Sequence, residues 1–234
     1  MQKILENFIQ EIKNSLGKKL KSITLYGSKA SQEDTKYSDY NILIIADDLK
    51  ITDLNNLTKP VKKWVKHGNP PPLIFDTKTF LSSVDVFPIE FLDIKQNHKI
   101  LYGENIVEKI EINFKNLRHE CEFELKSKLL KLKQLYILTG GKKQKLKKLL
   151  IESISTFLVL FKSVIQLLQK QVPAKKTEVL EVIKNEILGI NIQPFEKILN
   201  LKQDKKETKE YNLQELFEQY TKEIEKVIDF VNNL

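Results

Sequence analysis

The chain reads as an α+β protein, with a mixed sheet and flanking helices in its first half and an all-α bundle in its second. Three observations predict this. Residues 21–27 and 40–46 are short apolar runs of strand length separated by a polar stretch. From about residue 112 onward, apolar residues recur at helical spacing over long stretches, and no strand signal follows residue 105. Neither an internal repeat nor a long linker interrupts the sequence, so the expected domains are 1–110 and 111–234.

Ile4, Leu5, Phe8, Ile9, Ile12 and Leu16 form an amphipathic helical stripe, and Gly17 supplies a stop. The strand over 21–27 puts Ile23 and Leu25 on one face. Residues 28–38 are polar and read as a loop or short helix. The strand over 40–46 is apolar at successive positions, the pattern of burial on both faces. Leu54, Leu57, Val61, Trp64 and Val65 predict a helix over 53–66, with Pro60 breaking or kinking it. Gly68, Asn69 and three prolines form a stiff connector of polyproline geometry. A short strand at 73–75 and a short helix at 77–83 follow. Residues 86–94 read as another strand, with Pro88 at an edge or bulge, and 99–102 as a small strand before Gly103.

In the second half, Phe114, Leu117, Cys121, Leu125, Leu129, Leu132 and Leu135 trace a long helix that stops at Gly140 and Gly141. A second long helix over 143–170 is apolar nearly all round between Ile151 and Leu168 and is therefore expected at the centre. Shorter helices at 176–187 and 194–201, a charged turn at 202–209 and an amphipathic helix at 212–232 complete the chain.

At 41% hydrophobic and 30% charged, the composition is that of a folded globular protein. No uninterrupted apolar run approaches ~18 residues, so no span and no membrane partner is expected. The N-terminus lacks a signal-peptide pattern, and the single Cys121 excludes an internal disulfide. These features place the expectation in the cytoplasm. A net charge of +8 favours polyanionic partners such as nucleotides or RNA. Arg118 is the only arginine, and a lysine's point charge suits base-edge reading poorly, which argues against sequence-specific DNA binding. Lys126, Lys128, Lys131 and Lys133, with Lys142, Lys143, Lys145, Lys147 and Lys148, form a basic cluster readable as a solvated face or as a phosphate or RNA surface. His67, His98 and His119 lack metal-ligand spacing, and Cys121 and Trp64 read as core.

The chemistry concentrates at Leu25-Tyr26-Gly27-Ser28, followed eleven residues later by Asp39-Tyr40-Asn41. Glycine permits a tight turn and close backbone approach to a phosphate, and serine adds a hydroxyl and an N–H. Lys29 could neutralise phosphate charge. Asp39 and Asn41, two apart on a strand, share a face on which their oxygens could meet a magnesium ion.

These residues resemble the nucleotidyltransferase superfamily, typified by DNA polymerase beta and the kanamycin and minimal nucleotidyltransferases. That signature is a Gly-Gly or Gly-Ser turn followed by two carboxylates on the next strand, with a third on a later strand. Gly27 and Ser28 match the turn and Asp39 the first carboxylate, whereas Asn41 stands where the second is expected. On the same match, Glu90 in the segment 86–94 takes the third position, with Asp93 on the opposite face. The resemblance implies that Gly27, Ser28 and Lys29 hold the phosphates of an NTP. Asp39, Asn41 and Glu90 would ligate Mg²⁺ or Mn²⁺, Asp39 and Glu90 being the catalytic acids. A small-molecule, protein or RNA acceptor would then receive a nucleoside monophosphate. A bundle carboxylate among Glu120, Glu122 and Glu124 is a candidate general base. The amide at 41 drops the site's charge from −3 to −2, which weakens metal binding and leaves open a nucleotide-binding or regulatory module that does not turn over. A third reading, an RNA-binding or toxin–antitoxin-like component, is also open, as is a homodimer.

Overall fold

Two antiparallel strands organise the first half: β1 (Leu20–Tyr26) and β2 (Asn41–Ala46) pair from Tyr26 opposite Asn41 to Leu20 opposite Ala46. The computed structural model describes residues 2–27, 29–30, 39–173, 175–203 and 211–234. These fall into two units, Met1–Asn113 and Phe114–Leu234. β3 (Leu73–Asp76) runs parallel to β2, and β4 (His98–Gly103) antiparallel to β1, giving the order β3-β2-β1-β4.

Side-chain alternation along β1 and β2 feeds two cores. Ile23, Leu25, Ile42 and Ile44 pack against Phe8, Ile12 and Leu16 of α1 (Gln2–Leu16) and Leu57 and Trp64 of α2 (Ile51–Lys66). Phe8 and Trp64 stack with centroids 4.5 Å apart. On the other face Leu43 and Ile45 meet Phe80 of α3 (Thr77–Ser82) and Phe91 and Ile94 of α4 (Pro88–Gln96). β2 is thus buried on both faces, as its unbroken apolar run requires.

Two expectations are corrected. Residues 86–94 do not form a strand; α4 occupies most of that segment. Pro88 sits in its first turn, where a missing N–H costs nothing, and Pro88, Phe91 and Leu92 are buried at helical spacing. Glu90 and Asp93 are therefore both on the exposed side of a helix rather than on opposite faces of a strand. Pro60 does not end the second helix either, because α2 runs unbroken through it with Pro60 buried.

In the second unit α5 (Phe114–Thr139), α6 (Lys143–Leu167), α7 (Lys176–Glu186), α8 (Gln193–Lys202) and α9 (Leu213–Asn232) form an all-helical assembly. α6 packs on the other four and is central, as its all-round apolarity predicts. It is the one described helix long and apolar enough, by length and composition alone, to cross a bilayer. Its Leu150, Ile154, Phe161, Val164 and Ile165 are fully enclosed by the bundle. Cys121 is core, and burial pushes its thiol up to about 12, with the Glu120 charge adding to the shift. The charged turn falls largely on residues 204–210, outside those described.

At the end of β4, Gly103 has φ +80°, and a Cβ there would lie 1.9 Å from the Lys21 carbonyl oxygen. That oxygen belongs to the strand backbone and cannot move aside. Gly103→Ala should destabilise the first unit by about 3 kcal/mol or more. Trp64 is the only tryptophan and lies in this unit, so urea unfolding followed by its fluorescence reads the loss directly.

Candidate active site

The turn after β1 is built by backbone geometry. Gly27 has φ +75°, and its N–H donates to the Asn97 carbonyl at 2.9 Å, just past the end of α4. The Gly27 carbonyl accepts from the Ala30 N–H at 2.8 Å, which closes the chain back on itself. Asn41, opposite Tyr26 in the sheet, lays its amide over this turn, with Nδ2 3.1 Å from where a Cβ on Gly27 would stand. Glycine is thus required twice, by torsion and by space.

Along β2, Asn41 shares alternation with Leu43 and Ile45, so it lies on the α4 side of the sheet. Asp39 is exposed at the entry to that strand, and Asn41 is half-buried. Lys29 is half-buried, with Nζ 5.2 Å from the Tyr40 ring centroid. Ser28, with Glu33 and Asp34 of the following loop, lies outside the described residues.

The structure attaches a different α4 carboxylate to this turn from the one the sequence favoured. Asn97, whose carbonyl holds Gly27, also donates from Nδ2 to Asp93 Oδ1 at 3.0 Å. Tyr26 remains protonated to higher pH than usual, first because it is buried and second because the Asp93 charge stands nearby. Asp93 is therefore tied to the Gly27 turn through one side chain, and Glu90 sits one helical turn earlier. A helical reading of 86–94 would have put the two acids on one side. Asp47, at the far end of β2, is engaged by Thr77 at 2.6 Å and Lys21 at 3.1 Å, which hold its carboxyl below the usual range.

Among the described residues, no three His, Cys, Asp or Glu side chains gather closely enough to hold a metal ion. Magnesium ordinarily takes only one or two carboxylates and completes its shell from phosphates and water. Asp39 and the α4 carboxylates therefore do not belong to a preassembled cage of three such side chains among the described residues.

The second unit carries a polar cleft that sequence reasoning missed. A cavity of about 620 Å³ is lined by Lys175, Lys176, Thr177, Glu196, Leu199, Asn200 and Gln203, at the start of α7 and along α8. Partial burial, then the charges of Lys202 and Lys162, pull the Lys176 ammonium below its ordinary pKa. Lys202 Nζ itself donates to Ser155 Oγ at 2.8 Å, and no ion pair to Lys176 occurs among the described residues. The separation of these residues in sequence left no local signal. The candidate base Glu122 is instead occupied: hydrogen bonding from Lys126 and then Arg118 lowers its pKa, which suits a structural ion pair.

No protein-family model matches the chain, and no curated protein matches it. Among solved structures, spectinomycin adenyltransferase AAD(9) from Enterococcus faecialis, with ATP and spectinomycin, superposes with a TM-score of 0.58 at 12% identity, covering 96% of this chain and 99% of that one. A toxin–antitoxin structure with AMP-PNP reaches a TM-score of 0.31 at 21% identity over 44% of this chain and 82% of that one, a likeness too slight to define a fold. The first correspondence spans both chains almost end to end. This chain has the nucleotidyltransferase fold, its sheet followed by a helical second half.

The neutral form of Tyr26 contributes stability that is fully present below pH ~10 and is lost as pH rises through the raised folded value. Asp93→Asn should move that ionisation part of the way back toward an ordinary tyrosine, burial remaining as the larger cause. An ultraviolet titration of the phenolate, with Tyr26→Phe identifying the signal, checks the sign; an unchanged curve would separate Asp93 from the turn.

Proposed function

We propose that the chain transfers a nucleoside monophosphate from an NTP to an acceptor hydroxyl on a small molecule, a protein or an RNA end. The observation that carries this reading is the Asn41 amide laid over Gly27, on a fold shared with an adenyltransferase across nearly its whole length. In the transfer the acceptor oxygen bonds to the α-phosphorus and the bond from that phosphorus to its bridging oxygen breaks. Pyrophosphate leaves with the electron pair, and the hydroxyl proton passes to whichever α4 carboxylate, Asp93 or Glu90, does not hold the metal.

Each residue has a distinct task. Gly27 lets the backbone approach the phosphate closely, the adjoining Ser28 offers its hydroxyl and N–H to phosphate oxygens, and Lys29 adds charge beside them. Asp39, Asn41 and an α4 acid (Glu90 or Asp93) would hold Mg²⁺ or Mn²⁺, which shields the phosphates and draws electron density from the α-phosphorus. The Asn97 bond to Asp93 supports a role for this acid beside the turn, since a carboxylate held there needs less ordering when substrate binds.

The same features support one second reading, a nucleotide-binding module without turnover. The amide at position 41 favours it, since a neutral ligand leaves the metal less tightly held.

Titration of the purified chain with each NTP and Mg²⁺ or Mn²⁺, by calorimetry and pyrophosphate release with a pool of acceptors, tests both. Transfer predicts nucleotide-dependent pyrophosphate release that Asp39→Asn lowers about a hundredfold or more. The binding module predicts heat of binding with no release, and Asn41→Asp then tightens metal without restoring turnover. A chain that binds no NTP under any of these conditions refutes both.

A further inference from the structure

Charge is distributed very unevenly along this chain. Residues 125–151 contain nine lysines and no acidic residue, whereas the remaining 207 residues hold 30 basic and 31 acidic side chains. The whole net charge of +8 therefore resides in one hairpin, the C-terminal half of α5, the Gly140-Gly141 turn and the start of α6. Lys126, Lys128, Lys133 and Lys148 are paired with Glu122, Glu124, Glu225 and Glu152. Lys131, Lys142, Lys143 and Lys145 are exposed, with no ion pair among the described residues.

The same end of the hairpin carries uncovered aliphatic side chains. Leu130 is 62% exposed, Ile137 75% and Leu138 71%. Ile137 and Leu138 come immediately before the turn, and Lys142, Lys143 and Lys145 immediately after it, so an apolar tip is flanked by cations. Gly140 and Gly141, both at positive φ, let the two helices reverse within a few residues and keep the groups together. A bundle helix does not leave Ile and Leu in water at its end without cost.

We infer that this hairpin tip docks on an anionic lipid bilayer. Ile137 and Leu138 enter the headgroup–acyl boundary, and the lysines lay their apolar stems along it with their ammonium groups at the lipid phosphates. Charge complementarity alone would equally admit RNA. The aliphatic tip decides against RNA, because a polynucleotide is gripped by stacking aromatics and arginine, and the hairpin tip presents neither. The inference concerns peripheral attachment, not a span, and does not depend on the nucleotidyl-transfer reading.

Flotation of the full chain with vesicles of phosphatidylcholine alone or mixed with phosphatidylglycerol tests it. Binding should require the anionic lipid and weaken steeply with salt. The triple variant Lys142→Glu, Lys143→Glu, Lys145→Glu should lower partitioning about a hundredfold. Ile137→Ser with Leu138→Ser should lower it about tenfold while leaving the salt dependence intact. All five positions are exposed, and an unchanged melting temperature confirms that the variants are folded. No binding to anionic vesicles overturns the proposal. So does binding indifferent to the Ile137 and Leu138 changes, or a tighter, lysine-dependent association with a 20-nucleotide oligouridylate that displaces the vesicles.

Discussion

The antiparallel pairing of β1 with β2 is the constraint on which the first unit depends. It carries every core residue of the sheet's centre to full burial, with Ile23, Leu43, Ile44 and Ile45 sealed between two layers of helix. It also fixes the candidate site. Pairing Tyr26 with Asn41 brings the end of one strand beside the start of the next, and a one-residue slip would turn Asn41 to the opposite face. The register thus serves the core and the chemistry with a single set of hydrogen bonds.

Around that register the site is assembled from chain ends and turns. Gly27 bends the backbone away from the sheet, Asn97 caps the end of α4 and holds that bend, and Asp93 is fastened to Asn97 from the same helix. These bonds fasten the turn after β1 to the end of α4.

The helical unit follows a different logic. One helix, α6, is surrounded by four others, and the polar groups that penetrate its core are satisfied locally, as with Tyr220 and Ser153 at 3.4 Å. Its surfaces are strongly uneven in charge. A polar cleft opens at the start of α7, and a separate basic and aliphatic tip closes the α5–α6 hairpin. Exposed aliphatics at that tip do not add to the stability of the bundle.

Much of this was legible in the sequence because periodicity and burial have the same cause. The all-apolar run of β2, the stripe along α5 and the apolar circumference of α6 each state which faces must leave water, and the Gly27 turn announces itself by residue type. The segment 86–94 was not legible: a short run mixing apolar and acidic residues satisfies both a strand and a helix pattern, and only packing of Phe91 and Ile94 against the sheet selects the helix. That choice put Glu90 and Asp93 on one exposed side of a helix and linked Asp93 to Asn97. The cleft between α7 and α8 was equally hidden, since its lining comes from two helices whose arrangement is set by side-chain interlocking. Sequence alone determined which residues are apolar, which turns need glycine and where each long helix runs, because these depend on neighbours along the chain. Tertiary structure decided which charges meet, because Coulomb forces act through space and distance in space is what folding supplies.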